Sequence, residues 1–239
     1  MKSPSASGPV PDNPSSAAAA AAREPRGERR KRETRSRLLE AALRLMAEKG
    51  MEGVAINEIT QAADVGFGSF YNHFESKEAI YAALLDWGFE EFGATLSHLV
   101  RDLADPAEII SVCIRHTLLR AGREPSWGYF LVREGFSAKG LDRGLGLRML
   151  RDIETGVETK RFPVDDILMM CTAAGGTVLT AISVVLQFSS SPEALPTGLQ
   201  RRGFSVEGLP ERAAATVLRT LGLDQAEAEA IAHRKLPAL

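Results

Sequence analysis

Apolar residues recur along this chain at the spacing of helices rather than of strands. Leu38, Ala42, Leu45 and Met46 form one stripe of a helix over Thr34 to Lys49, and Gly50 is placed to stop it. Ile56, Ile59, Ala62 and Ala63 predict a second helix, interrupted by Asp64 and Gly66. Asp tolerates the left-handed conformation that a sharp turn needs, and Gly adopts it freely. A short third helix follows, from about Gly66 to Phe74, with Phe70 and Phe74 four apart on one face and Ser69, Asn72 and His73 on others. It is too short to stand alone in water, so the neighbouring helices must hold it. Ser76 caps a fourth helix that runs through Ile80, Leu84, Trp87, Phe92, Leu96 and Leu99 to about Leu103. The run Asp105-Pro106-Ala107-Glu108 restarts the helix with Asp at the cap and Pro at the first helical position.

Further helices are predicted at about 106–119, 126–136, 141–158 and 163–188, then a loop rich in Ser, Pro and Gly to about Leu209, then helices over 210–221 and 225–235, the last capped by Asp224. No alternating strand pattern occurs and nothing repeats. The pattern predicts an all-α chain, a three-helix head (34–81) on a larger helical body (82–239).

Charge sharpens the picture of the head. The net charge of −2 excludes a protein that is basic throughout, so a nucleic-acid surface has to be local. Arg23, Arg26, Arg29, Arg30, Lys31, Arg32, Arg35 and Arg37 face only Glu24, Glu28 and Glu33 over one short stretch. Such an arm is either a solubilising tail or, just before a DNA-reading head, a phosphate-following one. Residues 1–33 are expected to be disordered, because Met1 to Ala22 is Ser, Pro and Ala without amphipathic period and lacks the apolar core of a signal peptide. No stretch reaches ~18 uninterrupted apolar residues, so no membrane span is expected and the chain is read as cytoplasmic. Cys113 and Cys171, far apart and unpatterned, read as buried thiols.

The stretch Ala62 to Lys77, AADVGFGSFYNHFESK, is polar in a way that suits phosphates and base edges better than catalysis. Tyr71 is amphipathic, and Lys77 lies at a helix start where free N–H groups and its own charge attract phosphate. Leu38 to Tyr81 resembles the N-terminal DNA-binding domain of the TetR/AcrR family of bacterial regulators, on the pieces LLEAALRLMAEKG, INEITQAADV and GSFYNHFESKEAIY. The resemblance implies a helix-turn-helix that binds a palindromic double-stranded DNA operator, with Arg35, Phe67, Gly68, Ser69, Tyr71, Asn72, His73 and Lys77 as the contacting residues. It also implies a C-terminal ligand-binding and dimerisation domain, a homodimer, and release of a repressor by a small apolar effector. Two departures stand out. Ala55 replaces the usual Ser or Thr cap, a change typically worth ~1 kcal/mol. Gly66 and Phe67 replace a polar or basic pair, leaving fewer side chains, or thymine-methyl contacts, for base readout.

In the body, Trp127, Tyr129, Phe130, Leu131 and Phe136 offer more aromatic surface than one side of a short helix can bury, and Met169, Met170 and Cys171 follow in the long helix. They read either as core or as the wall of an effector cavity, for which His116, Trp127, Phe130, Arg133, Met169 and Thr172 are the candidates. Ala173-Ala174-Gly175-Gly176-Thr177 inside an apolar helix implies close approach of another helix, within one chain or across a dimer that also uses 210–221. Catalysis has no footing. GxSxG, a Walker lysine and HExxH are missing, GFGS lacks the third glycine of a dinucleotide loop, and the four histidines have no metal-ligand spacing. No enzyme activity, metal or cofactor is therefore expected. The alternative reading is a helical carrier or enzyme whose N-terminal helices are only structural.

Overall fold

The computed structural model describes residues 25–135, 144–188 and 197–239, and every regular element among them is helical. The helices are α1 (Arg26–Lys49), α2 (Ile56–Ala62), α3 (Phe67–Tyr71), α4 (Lys77–Leu85), α5 (Glu91–Leu99), α6 (Pro106–Arg123), α7 (Pro125–Gly135), α8 (Gly144–Glu158), α9 (Ile167–Phe188), α10 (Thr197–Gln200), α11 (Leu209–Thr220) and α12 (Gln225–Ala232). A π-turn, Asp86–Glu90, joins α4 to α5. Met1 to Glu24, Phe136 and the start of the Ser/Pro-rich loop lie outside the described residues.

Local chemistry sets the helix ends. Ser76 Oγ accepts the Ala79 N–H at 3.2 Å, Asp105 the Ala107 N–H at 3.0 Å with Pro106 at the first helical position, and Asp224 the Glu227 N–H at 2.9 Å. The Gly50 N–H, at φ 75°, bonds the Met46 carbonyl and stops α1. The sharp turn before α3 is made by Asp64, at φ 51°, while Gly66 is extended and needs no special freedom.

In the head, Leu38, Ala42, Met46, Ile59, Phe70, Phe74, Ile80 and Leu84 close one core. In the body, α6 is central and is packed by α7, α8, α9, α11 and α12. The two meet where α1 lies on α7, and there the Arg133 guanidinium donates to the carbonyls of Ala47 (3.3 Å) and Glu48 (3.0 Å) at the C-terminal end of α1. A cation at that end also complements the helix dipole.

Two sequence expectations change. The segment Arg26 to Glu33, expected to be disordered, is the first two turns of α1. Arg, Lys and Glu are good helix formers, and Arg29 pairs with Glu33 one turn on at 3.4 Å. The fourth helix is not one regular rod, because the buried Trp127 indole Nε1 donates to the Gly88 carbonyl at 2.8 Å inside the π-turn. In addition, α9 has 22 residues, and an 18-residue stretch of it has a mean hydropathy of 1.8, so by length and composition it is apolar enough to cross a bilayer; 28% of that stretch is buried within the chain. Its Gly, Ser and Thr residues hide this from a count of uninterrupted apolar positions.

Candidate nucleic-acid interface and ligand cavity

The one-turn helix α3 is held from beneath by Phe70 and Phe74, which are almost completely buried. Outward it shows Phe67, Gly68, Tyr71 and Asn72, with Ser69 and His73 half-buried at the margin. Phe67 and Tyr71 are about half exposed and meet edge to face at 5.6 Å, so the apolar ring screens one side of the phenol. Arg35 comes in from α1 with its guanidinium 5.1 Å from the Phe74 ring. Burial, with Lys31 and Arg35 nearby, holds the His73 imidazole below its ordinary range, so it is neutral near pH 7 and offers one donor and one acceptor. Lys77 begins α4 and is half-buried, 4.0 Å from the exposed Glu52 carboxylate. The missing cap at Ala55 is made good in part by Glu58, whose carboxylate accepts the Ala55 N–H at 2.9 Å and is also bonded to Lys49.

In the body, a cavity of about 690 Å³ opens between α4, the π-turn and α5 on one side and α6 and α8 on the other, with the C-terminal end of α7 and the middle of α9 closing it. Leu85, Phe89, Leu96, Ile110, Leu145, Met149 and Val178 make it mainly apolar. A few polar groups converge on it. Tyr81 donates to the Glu134 carboxylate across the wall. Arg148 donates to Glu90 (3.0 Å), Ser97 Oγ (3.2 Å) and the Gly144 carbonyl (3.0 Å), and Glu90 in turn accepts the Gly144 N–H at 2.6 Å. Asp152 sits one turn beyond Arg148. Burial raises its carboxyl to about 6, and Arg148 only partly opposes this. Burial pushes the neighbouring Cys113 thiol up to about 12, so it is neutral and unreactive.

None of the six residues expected to line an effector site borders this cavity. Trp127 and Phe130 are fully buried core, Phe130 stacked on Phe89 and Trp127 edge to face with it, and Phe92 and Arg120 also close on Trp127. His116 is buried and bonded to the Pro237 carbonyl at 3.0 Å. Arg133 binds α1, as described above. Met169 and Thr172 face outward on α9. Of the aromatic surplus of α7, Trp127 and Phe130 are absorbed by the aromatic residues of the π-turn and α5, a contact between segments distant in sequence, while Tyr129 stays about half exposed. The polar residues that do line the cavity carry a signal of their own, absent from the sequence-based candidates. Leu145, Arg148, Met149 and Asp152 share one helical face, and two charges inside an apolar stripe are uncommon unless something polar is to be met.

Asp152 makes one prediction on stability. A carboxyl raised from about 4 to about 6 by folding destabilises the folded chain once ionised, so the penalty is absent at low pH, grows through that window and is complete above it. Asp152→Asn is therefore expected to stabilise the chain at pH 8 by about 1–2 kcal/mol after allowance for its partial exposure, with the gain shrinking toward pH 4. Urea unfolding of both proteins at the two pH values checks this.

The two glycines of α9 part company. Gly175 borders the cavity, where an added Cβ would lie 3.5 Å from Met149 Cε, whereas a Cβ at Gly176 would meet nothing within 4 Å. Gly176, Thr177, Thr180, Ala181 and Val184 instead form a shallow outer groove with Leu209, Arg212, Ala213 and Thr216 of α11.

Known proteins share this geometry. The family profile described as "Bacterial regulatory proteins, tetR family" matches residues 38–84, and that described as "Tetracyclin repressor-like, C-terminal domain" matches residues 105–234, more than half of the chain. The transcriptional repressor DhaR of Mycobacterium sp. (strain GP1) is 42% identical over 72 residues, 30% of this chain and 36% of DhaR, and the chain likewise matches less than half the length of the regulators AcrR of Shigella flexneri and NemR of Escherichia coli (strain K12). The crystal structure of RolR in complex with resorcinol is 34% identical, with a TM-score of 0.62 over 88% of this chain and 98% of RolR. FadR from Bacillus subtilis, in complex with stearoyl-CoA, is 14% identical with a TM-score of 0.56 over 77% of this chain and 98% of FadR, and shares the fold alone. With both halves matched in order and the helix-turn-helix formed as its sequence demands, the chain belongs to the tetR family of bacterial regulatory proteins, DNA-binding transcriptional regulators rather than enzymes.

Proposed function

We propose that this chain is a homodimeric repressor that binds a palindromic operator through two copies of α2 and α3 and is released when a small, largely apolar effector fills the cavity of the body. The observation that carries this reading is continuity. The helix that follows α3 through the Ser76 cap, α4, carries Tyr81 and Leu85 into the cavity wall, and the π-turn that continues it adds Phe89. A ligand that moves this wall moves the recognition helix with it. A 100-fold change in operator affinity needs only ~2.7 kcal/mol of coupling between the two sites.

The effector is a hydroxylated aromatic compound. The resorcinol bound by RolR supports this class, and so does the lining, apolar on most sides with Arg148 and Asp152 set to exchange hydrogen bonds with hydroxyl groups. The volume of about 690 Å³ leaves room for an apolar substituent on the ring. Two copies pair through α9 and α11, whose outer faces carry the exposed Leu168 and Met169 and the groove at Gly176. The site of action is the cytoplasm, where the operator is.

DNA contact is tested by Tyr71→Phe and Lys77→Ala, measured by fluorescence anisotropy on duplex from upstream of the chain's own gene. Both substitutions are expected to weaken binding while leaving thermal unfolding nearly unchanged. Lys77→Ala also lowers the salt dependence by about two units in the dimer, ~0.9 for each phosphate that is no longer neutralised. Wild-type affinity and slope in both variants would refute the assignment.

A further inference from the structure

The geometry points to a second DNA-contacting surface outside the helix-turn-helix, in which the basic N-terminal extension of α1, Arg26 to Arg37, follows the phosphate backbone beside the bases read by α3. The inference rests on the DNA-binding reading above and adds a surface that the family profile, which begins at residue 38, does not include.

The extension is a rod, not a tail. The helix starts at Arg26, whereas the apolar stripe that anchors it begins at Leu38. At ~1.5 Å per residue, the segment before Thr34 projects about 12 Å past the first turn that the sequence assigns to the head. Residues 26–33 are all exposed and include no apolar side chain larger than glycine, so core packing does not explain their order. What they carry is charge. Arg26, Arg29, Arg30, Lys31, Arg32, Arg35 and Arg37 stand against Glu28 and Glu33, in a chain whose net charge is −2. A helix that served only to solubilise would mix its signs, and this one is strongly biased to one.

The bias is also correctly placed. Lys31 and Arg35 are one turn apart and share a helix face, respectively eight and four positions before Leu39 of the buried stripe. Arg35 lies over the Phe74 ring at 5.1 Å, and both cations act electrostatically on His73, at the margin of the recognition segment. The positive face therefore begins beside α3 and continues outward along a rigid axis. A polyanion with regularly spaced charges alongside the groove entered by α3 is the occupant that this shape and sign fit, and duplex DNA is that polyanion.

The test uses the full chain with Arg26→Ala, Arg30→Ala and Lys31→Ala combined. All three side chains are exposed and alanine favours helix, so circular dichroism and thermal unfolding should match the wild type. Anisotropy titrations are run on duplex from upstream of the gene and on a scrambled duplex of equal length, from about 50 to about 200 mM salt. The triple variant is expected to bind both duplexes more weakly by the same factor, roughly tenfold at about 0.1 M salt, with the log–log salt slope reduced by ~0.9 for each phosphate left unneutralised per subunit. A second variant, Glu28→Gln with Glu33→Gln, removes the two opposing charges and is expected to tighten binding to both duplexes. Wild-type affinity and slope in the triple variant would overturn the proposal, whatever the second variant does. A wild-type chain that fails to distinguish the two duplexes would overturn the DNA reading itself and the proposal with it.

Discussion

Trp127→Ala is expected to destabilise the chain by about 4 kcal/mol, the usual range for removing a large buried aromatic side chain. The indole is fully buried, between Phe89 (ring centroids at 6.4 Å) and Phe92 (5.3 Å), with the Arg120 guanidinium 4.5 Å from its ring. Truncation removes this packing and also the N–H that the Gly88 carbonyl receives at 2.8 Å inside the π-turn. The two losses separate in Trp127→Phe, which keeps most of the apolar volume and loses the donor, and is expected to cost about 1–3 kcal/mol. Urea unfolding, with unchanged dependence on denaturant, gives both values. A cost below about 1 kcal/mol for the alanine variant would mean that Trp127 borders open space, contrary to its burial.

Gly176→Arg is expected to convert the dimer into a monomer and to abolish specific operator binding, while Gly175→Leu leaves the assembly intact and fills the ligand cavity. The contrast follows from one turn of α9. A side chain at position 176 points into the open groove between α9 and α11, so within one chain it has space. At a symmetric interface the same arginine is buried twice and meets its own copy, so desolvation and repulsion are both doubled. Operator specificity is lost with the dimer, because it requires two recognition helices held about one DNA turn apart. Sedimentation velocity gives the assembly state, and circular dichroism should show that the monomer is still helical. A Gly176→Arg protein that remains dimeric would place the interface away from this groove.

How far the sequence reveals all this differs between the two halves. The head is local in sequence, and its features are readable as local chemistry: the cap at Ser76, the left-handed Asp64, and Phe70 with Phe74 as the anchors of α3. Its start is misplaced when the basic run is judged by charge alone, because Arg, Lys and Glu also favour helix. In the body, the helices and the Asp105 and Asp224 caps follow from the pattern, but which aromatic residue meets which helix does not. Trp127 and Phe130 look surplus on α7 until Phe89 and Phe92, about 35 to 40 positions earlier, are placed against them. The polar lining is hidden for a related reason. Arg148 and Asp152 interrupt the apolar stripe of α8, but what they face is set only when α8 is laid against α5 and α6. Arg133 neighbours the aromatic run and so suggests a ligand contact, yet it is bonded to the end of α1 in the head.

The most direct test of coupling between cavity and operator is release of the protein from DNA by resorcinol, followed by anisotropy in the wild type and in Gly175→Leu. Resorcinol is used as the representative of hydroxylated aromatic compounds. It is expected to lower operator affinity of the wild type in a saturable way, whereas the cavity-filled variant binds the operator normally but is no longer released. Equal release of both proteins, or release of neither across a panel of substituted phenols, would contradict the claim that this cavity controls DNA binding.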